Sequence, residues 1–163
     1  MRSEPDLLTL LRELDDPQWA ERPQGYDRNA TAALFGRLVA RLDDDFTTRC
    51  PAEQDTQDSS EYGRVVVPAG ATVCGTRIVV CVSKFGSLAL ITADNPGAFL
   101  GTAEAQAEGE LAADDLAKVD QALADLAYVV VPEELLVTDY TGPTRFPVIS
   151  YQSTWWQRFF GYF

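Results

Sequence analysis

The side chains in this sequence best placed to do chemistry are carboxylates, and they come in two runs. Asp43, Asp44, Asp45, Glu53, Asp55, Asp58 and Glu61 face only Arg49 nearby, while Glu104, Glu108, Glu110, Asp114, Asp115, Asp120 and Asp125 face only Lys118. Clustered carboxylates can ligate a hard cation, exchange protons with a substrate, or attract a positively charged surface. A calcium loop spaces Asp-x-Asp-x-Asp-Gly ahead of a closing Glu, and Asp43-Asp44-Asp45 lacks that spacing, so no metal is expected. A pair of catalytic acids must converge to about 5 to 10 Å, which no spacing in a single sequence specifies. Attraction needs only an excess of negative charge, and 25 Asp+Glu against 13 Lys+Arg leave a net charge of −12. Two readings of the runs follow: a solvated loop and helix surface, or a surface complementary to an arginine- and lysine-rich partner.

The chain contains no histidine. This removes Ser/His/Asp and Cys/His catalysis, the His-Glu-x-x-His metalloproteases and the His-x-Glu deaminases, because the side chain that titrates near neutrality is missing. Cys50, Cys74 and Cys81 form no Cys-x-x-Cys pair; they read as small core hydrophobes in a reducing compartment, not as zinc ligands. The glycines spell neither a phosphate loop nor a dinucleotide fingerprint, so no cofactor is expected. The negative field also repels phosphate backbones and anionic lipid, which argues against direct binding of nucleic acid or membrane.

Aromatic residues crowd the segment Ser153 to Phe163. At helical spacing Trp155, Trp156, Phe159, Phe160, Tyr162 and Phe163 fall within an arc of roughly 160°, with Arg158 and Gln157 opposite. Such a face either pins the chain's end to the body or stays open as a binding hot spot of Trp155, Trp156 and Arg158, the residue types that concentrate binding energy.

The elements that must position these groups are legible from caps and periodicity. Leu7, Leu8, Leu11 and Leu14 predict a helix over Glu4 to Leu14, with Ser3 as N-cap and Pro5 in the first turn. Asp27 caps a second helix from Arg28 to about Leu42, and Asp43 to Tyr62 reads as a polar loop. Strands are predicted at Arg64 to Val67, Ala71 to Cys74, Arg77 to Ser83 and Ser87 to Thr92, with a hairpin turn at Lys84-Phe85-Gly86. After a loop to Gly109, Asp114 caps a helix carrying Leu116, Val119, Leu123 and Leu126. Tyr128 to Val131 is a further strand, Leu135 to Thr138 a strand or Glu133 to Val137 a helical turn, and Val148 to Tyr151 a last strand.

Strands flanked by helices without regular βαβ alternation predict one α+β domain over 1–163, an antiparallel sheet with helices packed mainly on one face and the other face partly open. No stretch approaches the roughly 18 apolar residues of a membrane span. Arg2, Ser3, Glu4 and Asp6 make no signal-peptide n-region, so a cytoplasmic location is expected. In size, acidity, the Val129-Val130-Val131-Pro132-Glu133-Glu134-Leu135 segment and the closing Trp155-Trp156-Gln157-Arg158-Phe159-Phe160 helix, the chain resembles the immunity proteins of bacterial polymorphic-toxin and contact-dependent-inhibition systems. That resemblance implies a non-catalytic protein that neutralises a cognate cationic toxin, a nuclease or nucleic-acid deaminase, by occluding its active or substrate-binding surface. The alternatives are a secretion or folding chaperone for an exported client and a carboxylate-dependent enzyme.

Overall fold

The computed structural model describes residues 3–54, 59–146 and 153–161. Helix α1, Glu4–Leu14, begins where its cap predicts: the Asp6 amide donates to Ser3 Oγ at 3.3 Å, and Pro5 occupies the first turn, where no donor is needed. Helix α2, Arg28–Phe46, is capped by Asp27, which accepts the Ala30 amide at 3.0 Å. It runs a turn past the expected end at Leu42, because Phe46 adds another buried position to the face of Phe35, Leu38 and Leu42. Thr47, in the left-handed region at φ 50, then ends it.

Among the described residues five strands form one sheet in the order β1-β2-β3-β4-β5: Ala52–Gln54, Glu61–Val67, Ile78–Ser83, Leu88–Ala93 and Val129–Val130. The first four form an antiparallel meander, and β5 joins β4 in parallel. Strands β2, β3 and β4 fall on predicted strands, whereas β1 lies in the stretch from Asp43 to Tyr62 expected as a polar loop, where it pairs with the edge of β2. Strand alternation sorts the core into two. Val65, Ile78, Val80, Val82, Ala89 and Ile91 point to one side, against Phe35, Leu38 and Leu42 of α2 and Val119 and Leu123 of helix α4, Ala113–Asp125. Val79, Cys81, Leu88 and Leu90 point to the other, against Leu7 and Leu11 of α1, Leu135 and Leu136 of α5, Glu133–Leu136, and Trp155, Phe159 and Phe160.

The fold is α+β, and its two long interior helices share one face as expected. The second face, expected to be partly open, is covered by α1, α5 and the C-terminal π-helical turn Gln157–Gly161. The physical reason lies in β3 and β4, which read Ile-Val-Val-Cys-Val-Ser and Leu-Ala-Leu-Ile-Thr-Ala and are buried at every position. Strands apolar on both sides need cover on both sides.

Two further local expectations change, and one open alternative is decided. Ala71 to Cys74 is a connection, not a strand: Thr72 Oγ1 donates within its own turn to the Thr76 carbonyl at 2.8 Å, and Gly75 at φ 73 reverses the chain. The stretch expected as loop contains helix α3, Gly101–Ala107, favoured by Ala103, Ala105 and Ala107. Of the two forms open for Glu133 to Thr138, the helical turn is the one present. The predicted strand Val148 to Tyr151 lies outside the described residues.

Candidate partner-binding surface

Of the described aromatic C-terminus, Trp155, Phe159 and Phe160 are buried. Trp155 is buried and stacks on Phe159 at 6.1 Å between ring centroids. Arg158 has no exposed surface; its Nε donates to Asp15 Oδ1 at 2.7 Å, Nη1 to the Ala20 carbonyl at 2.8 Å, and Nη2 to the Trp19 and Asp16 carbonyls at 3.2 and 3.3 Å. Its guanidinium carbon lies 4.6 Å from the ring centroid of Phe85 and 5.1 Å from that of Phe159. Asp15 also accepts the Thr144 hydroxyl at 2.7 Å and the Tyr140 hydroxyl at 2.5 Å. Burial, with help from Asp15, pushes the Tyr140 phenol up to about 12, so it stays a donor. Trp155 and Arg158, expected at a partner face, are thus the internal latch that ties the chain's end to the segment after α1. Trp156 is half-buried against Gly161.

The first acidic run is divided by its local bonds. Asp43 accepts the Cys50 amide at 2.7 Å, Asp45 pairs with Arg41 at 2.8 Å, and Glu61 is buried and joined to Arg64 by two bonds of 2.9 Å. Glu61 is therefore an internal ion-pair partner, not a docking residue. Asp44 and Glu53 are exposed, and Asp55 and Asp58 lie outside the described residues. Asp43, Asp44 and Asp45 sit in the last turn of α2, where the helix dipole disfavours carboxylates by roughly 0.3 to 1 kcal/mol each; only Asp44 lacks a described local partner to offset this.

The second run is more open. Asp115 is buried and accepts the Val73 amide at 2.7 Å, and Glu110 bonds the Thr76 hydroxyl. Glu104, Glu108, Asp114, Asp120 and Asp125 are exposed along α3 and α4. Among the cations here, Arg41 bridges Asp45 and Asp125, and Lys118 lies over the Phe46 ring at 5.1 Å.

A concavity of about 730 Å³ runs along β5 between α4, α3 and α5. Leu116 and Ala124 of α4, Tyr128 to Pro132, Ile91 and Leu7 line it; Asp120, Glu133 and Glu134 are its charged lining, with no lysine or arginine. Glu133 is buried, and burial raises its pKa against the opposing effect of amide bonds from Gly97 at 3.0 Å and Gly101 at 3.3 Å. Asp120 is exposed as a whole residue, yet desolvation raises its carboxyl pKa as well. Glu134 packs where a Cβ on Gly101 would stand, and Gly101 adopts φ 86. Sequence reading missed this groove: the Val-Val-Val-Pro-Glu-Glu segment was visible, but nothing local brings Asp120 across to it.

Among the described residues no group of three or more Cys, Asp or Glu side chains could hold a metal ion, and no helix is long and apolar enough to cross a membrane. No family model, curated protein or solved structure matches this chain.

Proposed function

We propose that this chain is a binding protein of the inhibitor or immunity type, which docks on a cationic protein toxin, a nuclease or nucleic-acid deaminase, and covers its active or substrate-binding surface. One observation carries the reading: the groove beside β5 has apolar walls, three carboxylates and no cation. Two of those carboxylates are held in part away from water and no cation of the groove lining pairs with them, so an entering guanidinium or ammonium group supplies the positive charge that the lining lacks. The net charge of −12 adds long-range attraction to basic protein and repulsion from nucleic acid.

The test mixes the purified chain with the protein encoded by the adjacent reading frame, then measures that protein's activity and the association rate at about 20 and 200 mM salt. Stoichiometric loss of activity and a steep fall of the on-rate with salt are expected. Undetectable association at low ionic strength defeats the proposal. A partner made more soluble but left active points to the chaperone reading instead.

A second reading draws on the same groove. Raised carboxyl pKa values in a cleft suit acid-base catalysis, and Asp120 with Glu133 supplies two. Both oxygens of Glu133 are already engaged by backbone amides, which favours binding over turnover. Substrate turnover by the purified chain alone would reverse that preference.

A further inference from the structure

The following rests on the reading of the chain as a binder of cationic protein, and concerns how one segment of that partner is held. Among the described residues strand β5 ends the sheet and pairs with β4 alone. Its ladder uses the amides of Val129, bonded to the Ser87 carbonyl at 2.9 Å, and Val131, bonded to the Ala89 carbonyl at 2.9 Å. Alternate residues of a parallel strand send their N–H and C=O groups to opposite sides, so Val130 turns both toward the groove. Such an edge is a template for another strand, and the groove of about 730 Å³ lies beside it.

We propose that the groove takes a short extended segment of the partner as an added strand beside β5, with basic and apolar side chains in alternation. Charge selects this occupant: the lining carries Asp120, Glu133 and Glu134 without a cation, and a second copy of this chain would bring net charge −12 against the same sign. Guest residues on the α4 side are Lys or Arg, whose methylenes lie over Leu116 while their heads reach Asp120. Guest residues on the opposite side are apolar and meet Val129 and Leu7. The guest backbone bonds Val130.

A blocked peptide of alternating Lys and Val is the probe, with a Glu-Val peptide and an alternately N-methylated Lys-Val peptide as controls. Saturable binding of the Lys-Val peptide, with slowed hydrogen exchange at the Val130 amide, is expected. Val130→Pro removes the outward donor at an edge position that tolerates proline, and weakens binding about tenfold. Asp120→Asn weakens it several-fold, and N-methylation or glutamate abolishes it. No saturation by about 1 mM, or no protection at Val130, overturns the proposal. So does dimerisation of the chain that Val130→Pro abolishes, because a second copy then holds the edge. Should Val130→Pro unfold the protein, the N-methylated peptide decides: equal binding overturns the proposal. Inhibition of the adjacent-frame protein that survives a folded Val130→Pro variant removes the groove but leaves the inhibitor reading; peptide binding without inhibition does the reverse.

Discussion

The guanidinium of Arg158 has no exposed surface, and it gives four hydrogen bonds, one to Asp15 and three to backbone carbonyls. Removing it strands the Asp15 carboxylate, whose side chain is 2% exposed. Arg158→Ala is therefore expected to cost about 3 to 5 kcal/mol, read from urea denaturation, whereas Asp15→Leu with Arg158→Met recovers most of the loss. Asp120 makes the opposite case. For a carboxyl whose folded pKa is raised, the folded state binds more protons than the unfolded one between the ordinary and the raised values, so its contribution to stability improves as pH falls through that window and worsens as pH rises. Cation binding follows the charged form and weakens over the same fall. Asp120→Asn should flatten the pH dependence of the melting temperature and weaken partner binding with no loss of stability at neutral pH. A destabilised variant would show instead that the carboxylate holds the fold. Neither role could be read from residue type: Arg158 looked like an anchor and Asp120 like one acid among many.

At the scale of elements, caps and periodicity spoke clearly. Ser3 and Asp27 begin α1 and α2, and unbroken apolar runs form β3 and β4. What misled was the polar composition after Leu42, since Phe46 prolongs α2 through packing and not propensity. The edge strand β1 shows a similar tertiary dependence. A Cβ on Gly63 of β2 would stand 2.5 Å from the Glu53 carbonyl, so the strands approach as closely as they do only because residue 63 is glycine. Gly63→Ala is expected to push β1 outward, costing about 1 to 3 kcal/mol and speeding amide exchange at Val66, whose amide donates to the Pro51 carbonyl at 2.8 Å. Unchanged exchange there would show that β1 shifts freely.

For the whole molecule, the uneven charge is the property a partner meets first. Exposed Asp44, Glu108 and Asp114 lie outside the groove, so neutralising all three should slow association and leave dissociation nearly unchanged. A faster dissociation rate would place them inside the contact. Stopped-flow kinetics at several salt concentrations separates the two.

The sequence alone determined the sign of the charge, the loss of imidazole chemistry, and the positions of most helices and strands, because caps, glycines and apolar periods act over a few residues. Tertiary structure decided which carboxylates meet solvent and which meet a partner inside the protein. Asp15 and Arg158 join across 143 positions, and Asp120 lines the β5 groove only because β5 docks in parallel beside β4. Burial, ion pairing and pKa depend on neighbours that the fold, not the local chain, supplies.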